Sequence, residues 1–313
     1  MPRAPDLLTM LCLTATPVAA GDLAFVTCQN GDAVDVIDIG TGQSAGGWAV
    51  PGKPAGVDAA SDAVFTVAPE AKTVRLHDPS SGAILAEAVL DGGPIGIARD
   101  AARGRVFVSD WYNARVWVLD DQTLAPEAEL AVGAAPAGLA LSDDGRFLAS
   151  ADRDADAVSI FDAETLAPLH KATVGTRPFG LRFGPAGRLF VANVGSDDVT
   201  VLDPETGAVI ATLPVGARPY GIAFAAGRGF VTNQYADSLS VFDLDTLAPR
   251  ATLETGEYPE GIDATPDGRR ILVANWFDNT LSIIDAETLA VLSSVETCDG
   301  PRAFGAFVLG GTK

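Results

Sequence analysis

The sequence predicts an all-β protein, a seven-bladed β-propeller with four antiparallel strands per blade and a ring closed by a C-terminal strand that joins the N-terminal blade. Three observations carry this. A proline opens each unit at Pro54, Pro94, Pro136, Pro178, Pro219, Pro259 and Pro301, stepping by 40, 42, 42, 41, 40 and 42 residues. An aspartate ends each third strand at Asp38, Asp78, Asp120, Asp162, Asp203, Asp243 and Asp285, with the same six steps. Within one unit, residues 256–301, four apolar runs (261–264, 271–274, 281–284 and 289–295) are separated by turn residues. A period of about 40 to 45 residues holding four short strands is the signature of a propeller blade rather than of a solenoid.

Residues 1–20 differ from the rest. Arg3 precedes an apolar run at 7–13, and Pro17-Val18-Ala19-Ala20 places small residues before a cut after Ala20. This is the pattern of a secretory signal peptide, and the run is too short to span a bilayer. Residues 21–313 are then expected to form one propeller domain in the periplasm.

The first blade is split. Residues 22–50 supply three strands with no opening strand ahead of them, while residues 301–309 form an opening strand with no blade after it. The tail is therefore expected to become the innermost strand of the N-terminal blade, which removes two exposed sheet edges. Cys28 takes the slot that Asn193, Asn233 and Asn275 fill elsewhere, and Cys298 takes the opening-glycine slot before the closing strand. These slots are neighbours in the assembled blade. In an exported protein they are expected to form a disulfide worth about 4 kcal/mol or somewhat more. The alternatives are two free thiols or a soft-metal site, although neither loop contains a histidine. Of the remaining blades, residues 52–91 diverge most, and the last three are the most regular.

Particular residues resemble the YVTN family of β-propeller repeats, within the superfamily of quinoprotein amine dehydrogenase β-chain-like folds. They are Phe230-Val231-Thr232-Asn233 followed by Asp237 to Asp243, Leu272-Val273-Ala274-Asn275 followed by Thr280 to Asp285, and the Gly-x-x-Pro-x-Gly opening at Gly216 to Gly221. The resemblance covers nearly the whole chain after residue 20 and implies the propeller fold. For function it implies several classes: adhesive, binding and redox-associated proteins, with lactonases and haem-carrying enzymes among related propellers.

Charge narrows those classes. Lys plus Arg total 21 against 41 Asp plus Glu, a formal charge of −20, so phosphate backbones and anionic lipid surfaces are repelled. Nucleic acid and membrane insertion are not expected, and a monomer is. Both methionines, Met1 and Met10, lie in the leader, which leaves no methionine to ligate copper or haem after cleavage.

Strand direction sorts the loops between two faces. All four tyrosines, Tyr112, Tyr220, Tyr235 and Tyr258, fall on the face shared by the opening loops and the loops after each second strand. Trp111, Trp276, Phe179, Phe277 and Phe304 fall there too. Rings with polar tips on one face suit recognition, although any one of them also suits packing between blades. Lys53, Arg177, Phe179, Arg218, Tyr220, Tyr258, Glu260 and Arg302 flank the opening prolines and are expected to ring the channel mouth. Four cations there locally invert the field of an acidic protein and favour an anion, unless Arg177, Arg218 and Arg302 pair with loop acids such as Asp237 or Glu260.

Catalysis has few residues to use. His77 and His170 are the only histidines, and neither falls on the aromatic face. Asp152, Asp154 and Asp156 begin like a calcium loop but lack the glycine and late glutamate such a loop needs. No metal or cofactor is expected. The leading expectation is a non-enzymatic exported protein that presents the aromatic, arginine-rich face to a protein partner or a small anionic ligand. The second is a subunit or accessory protein of a periplasmic redox system, and a lactonase-like enzyme is third.

Overall fold

The computed structural model describes residues 22–309, so the leader expected at residues 1–20 falls outside them. Seven sheets stand around a central channel, one for each sequence repeat, each of four antiparallel strands, with a fifth, parallel strand added to the second. Within a blade, burial falls from inside to outside. Second strands such as Ala63–Ala68 and Leu189–Asn193 are wholly buried and mostly apolar, whereas fourth strands such as Ile84–Val89 are largely exposed. Neighbouring blades cover both faces of the former and little of the latter. Phe25, Phe65, Phe107, Phe190 and Phe230 recur three residues before the end of the second strand and fill the spaces between blades.

The aspartate series has a local cause. The Asp120 carboxylate accepts the Thr123 amide at 2.8 Å and the Thr123 hydroxyl at 2.6 Å. Asp162, Asp243 and Asp285 repeat this with Thr165, Thr246 and Thr288, closing the turn into the outermost strand. The proline series marks a bulge. Five of the seven opening strands slip register after their proline, as between Pro94 and Ile97, and the glycine there lets adjacent inner strands meet. A Cβ on Gly96 would sit 2.1 Å from the Ala137 carbonyl oxygen of the next blade.

A second device fixes the loops that carry the site. The carboxylates of Asp32, Asp156, Asp197 and Asp237 accept the backbone N–H of Lys53, Arg177, Arg218 and Tyr258, each the residue before the next blade's opening proline, at 2.8, 2.7, 2.8 and 2.9 Å. Each of these four blades thereby sets the mouth-facing loop of its successor.

The chain's two ends share the first blade, whose order from the channel outward is Val308–Leu309, Leu23–Cys28, Ala33–Asp38, Gln43–Ala49. The Arg302 amide donates to Thr27 O at 2.7 Å and the Phe25 amide to Phe307 O at 2.8 Å. Between these points the closing strand does more than the sequence suggests. Gly305, at φ +134°, swings the chain outward so that Phe304–Ala306 pairs in parallel with Gly56–Ala60 of the second blade. The tail therefore stitches two blades. Asp263 of the seventh blade holds its far end, accepting the Phe307 and Val308 amides at 2.9 and 3.0 Å.

Cys28 and Cys298 are joined by a disulfide across the closure, with Cα atoms 5.7 Å apart and a sequence separation of 270. Such a bond is the mark of an oxidising, extracytoplasmic compartment. Among the described residues no helix is long and apolar enough to cross a membrane.

Candidate functional site

One mouth of the channel opens into a bowl of about 370 Å³. Two repeat positions build it. Residues following the opening prolines of blades five, six, seven and one, namely Phe179, Tyr220, Glu260 and Arg302, form the inner ring. Residues directly after the second strands, namely Gln29, Trp111, Arg153, Val194, Gln234 and Trp276, form the outer ring. Arg218, Tyr258 and Phe277 complete the wall.

The floor is aromatic and closed. Phe179 packs on Tyr220 with ring centroids 4.5 Å apart and on Phe304 at 5.0 Å, and Tyr220 meets Phe304 at 5.5 Å. Phe304 comes from the closing strand, so the same segment that seals the ring also plugs the channel. Beneath it lies a second cavity, of about 370 Å³, lined by inner-strand backbone with Asp58, Arg99, Arg182 and Glu260. Burial raises the Asp58 carboxyl to about 6, although the Arg99 amide donates to it.

A buried polar cluster supports the floor. Arg302 donates through Nε and Nη2 to the Tyr220 hydroxyl at 3.0 and 2.7 Å, and through Nη1 to Gln29 Oε1 at 3.0 Å. Glu260 Oε1 accepts Gln234 Nε2 at 2.7 Å. Its Oε2 lies 3.2 Å from Arg302 Nε, a coulombic pairing without hydrogen-bond geometry because that N–H is aimed at Tyr220. Burial pushes the Glu260 carboxyl up, with the Arg302 charge and the Gln234 amide pulling the other way. Burial also drives the Tyr220 phenol far above its ordinary range. Burial opposes the charge on Arg302, but Glu260 and Tyr220 outweigh it and the guanidinium stays protonated.

Arg218 is different. Its guanidinium stacks on the Tyr235 ring with the central carbon 4.3 Å from the centroid. Among the described residues its side chain makes no hydrogen bond and no ion pair, and its buried Nε has no partner. Tyr258 packs beside it, 5.6 Å from Tyr235, 5.9 Å from Trp276 and 4.8 Å from Phe277. The third cation of the lining, Arg153, lies over Trp111 at 5.3 Å and pairs with Asp154 at 2.5 Å.

The bowl thus gathers nine of the residues the sequence singled out: Trp111, Phe179, Arg218, Tyr220, Tyr258, Glu260, Trp276, Phe277 and Arg302. Tyr235 stands on the rim, 59 % exposed, beneath Arg218. Tyr112, 76 % exposed, is not part of the lining. Lys53 and Arg177 are tied by their backbones to Asp32 and Asp156, and their side chains do not line the cavity. Gln29, Arg153, Val194 and Gln234 belong to the lining and were not anticipated. Their common signal is position, each directly following the last residue of a second strand.

Other candidates are occupied. Asp152 accepts the Gly133 amide at 2.8 Å and the Ser159 hydroxyl at 2.6 Å, Asp154 holds Arg153, and Asp156 holds the Arg177 amide, so the three carboxylates do not converge. The one grouping of potential metal ligands among the described residues is Cys28, Asp35 and Cys298, whose thiols are spent in the disulfide. His77 is buried between Thr66 Oγ1 at 2.9 Å and Gly82 O at 3.2 Å. His170 meets the Glu205 carbonyl at 2.8 Å on an outer strand.

No family model matches the chain, and no curated protein matches it in sequence. Solved structures do. Hydrazine synthase from Kuenenia stuttgartiensis superposes with a TM-score of 0.72 at 16 % identity, over 81 % of this chain and 89 % of that one. A protein of unknown function from Desulfotomaculum acetoxidans superposes with a TM-score of 0.78 at 13 % identity, over 93 % of this chain and all (100 %) of that one. The likeness is one of fold. At these identities it reaches the propeller and stops short of the residues of the bowl.

Proposed function

We propose that this chain is an exported, monomeric YVTN-type propeller that binds a small anionic ligand in the aromatic bowl. Export rests on the leader pattern at residues 1–20 together with the Cys28–Cys298 disulfide. The binding reading rests on one observation: Arg218 is held in place by Tyr235 inside a floored cavity, yet among the described residues none of its guanidinium donors has a hydrogen-bond or ion-pair partner. A concave, mostly aromatic site with a few fixed polar groups is the usual form of a small-molecule site. The redox reading implied by the family resemblance meets the likeness to hydrazine synthase only at the level of fold.

Intrinsic fluorescence tests the proposal, because Trp111 and Trp276 line the bowl. Titrating small carboxylates, phosphates and amines is expected to give a saturable change with an anion that disappears in Arg218→Gln. A panel in which nothing saturates, or in which amines and anions act alike in both proteins, would refute it.

A further inference from the structure

Charge and shape within the bowl narrow its ligand further, given the anion-binding reading above. Three arginines line the cavity, but two are already neutralised. Arg302 faces Glu260 at 3.2 Å and engages Tyr220 and Gln29 through all three of its guanidinium nitrogens, and Arg153 is paired with Asp154. Among the described residues that leaves one positive charge of the lining without an ion-pair partner, on Arg218. A dianion would bring a second negative charge into a site that already holds the buried carboxylate of Glu260, on a protein of net charge −20. A monoanion balances the site. A planar guanidinium matches the two oxygens of a carboxylate.

The remaining surface specifies the body that carries the carboxylate. Trp111, Tyr258 and Phe277 stand around the cavity and Phe179 lies on its floor, so flat apolar faces meet the ligand from side and bottom. Rings pack on such walls with additional favourable energy beyond burial, which a flexible aliphatic chain does not gain. The plug formed by Phe304 against Phe179 and Tyr220 prevents a long molecule from threading the channel. We infer that the ligand is a small aromatic monocarboxylate, with its carboxylate on Arg218 and its ring between Tyr258 and Trp111.

Isothermal titration of the full mature protein with four matched probes tests this: 2-naphthoate, 2,6-naphthalenedicarboxylate, 2-naphthamide and octanoate. The expected result is saturable binding of 2-naphthoate and binding of the other three weaker by about tenfold or more. Arg218→Gln is expected to reduce 2-naphthoate to the level of the amide. Arg250→Gln, which removes an exposed cation on an outer strand, is expected to leave it unchanged. Among the described residues Arg218 makes no hydrogen bond through its side chain, so the variant is expected to fold, as an unaltered unfolding midpoint would confirm. Octanoate or the dicarboxylate binding as tightly as 2-naphthoate, with the same dependence on Arg218, would overturn the aromatic monocarboxylate while leaving an anion site. The amide binding as tightly as 2-naphthoate, or tight binding in Arg218→Gln, would overturn the role of Arg218. No heat from any probe would overturn the bowl as a binding site.

Discussion

Breaking the covalent clasp tests how the ring is held shut. In the chain-entropy description, a cross-link spanning 270 residues removes about 5–6 kcal/mol of freedom from the unfolded chain. For a domain of this size, unfolding entropy near about 2 cal/mol/K per residue turns that loss into a midpoint lowered by about 9 °C. The Cys28→Ser, Cys298→Ser double variant isolates the bond. The backbone pairing of Arg302 with Thr27 and of Phe25 with Phe307 remains available, so the variant is expected to fold as a propeller. Guanidinium and thermal unfolding followed by circular dichroism, on oxidised protein and on the variant, give both quantities. A midpoint lowered by less than about 2 °C would mean that the tail is held by packing alone and that the entropic argument is wrong.

Three further outcomes are expected. Gly96→Ala places a methyl group against the Ala137 carbonyl and is expected to cost about 2–3 kcal/mol in denaturant unfolding, with the loss coming from separation of adjacent inner strands. Arg302→Met leaves Glu260 buried without its counter-charge and is expected to cost about 3–5 kcal/mol, much of it recovered when Glu260→Gln is added, as a double-mutant cycle will show. The third concerns pH. Asp58, raised to about 6 in the folded protein, binds its proton more tightly there than in the unfolded chain, so its contribution to stability is complete below the unfolded value near about 3.8 and is lost as pH rises through about 6. Asp58→Asn is therefore expected to match the wild type at pH 4 and to exceed it by about 2 kcal/mol at pH 7.5, and an equal difference at both values would contradict the assignment.

The blades were legible because their signals are local and repeated. Six of the seven aspartates close a turn onto the threonine three residues on and Asp78 closes one onto Ser81, and prolines with nearby glycines shape bulges where neighbouring inner strands touch, so chemistry and period coincide. The disulfide was legible because Cys28 and Cys298 stand in slots that the repeat makes adjacent. The parallel pairing of Phe304–Ala306 with the second blade was not, because it depends on the backbone of Gly305, a single residue outside the regular Pro-x-Gly spacing.

The bowl was half legible, since aromatic residues announce themselves and position does not. Arg153 stands in an acidic loop, between Asp152 and Asp154, although it occupies the same slot as Trp111 and Trp276. The residues preceding the prolines divide by what lies beside them. Arg218 and Tyr258 have Tyr235 and Phe277 to pack upon, whereas the neighbouring loops of Lys53 and Arg177, Pro69-Glu70-Ala71 and Gly195-Ser196, offer no ring. Composition counts cations and leaves open which are already paired. Only the geometry separates Arg218 from Arg302.

The most direct test of the account is a crystal structure of the protein grown with 2-naphthoate. The account predicts the carboxylate on the terminal nitrogens of Arg218 and the ring system against Tyr258 and Trp111, above an unmoved Phe304. Naphthoate bound elsewhere, or Arg218 turned onto one of the protein's own carboxylates with the bowl collapsed, would contradict it.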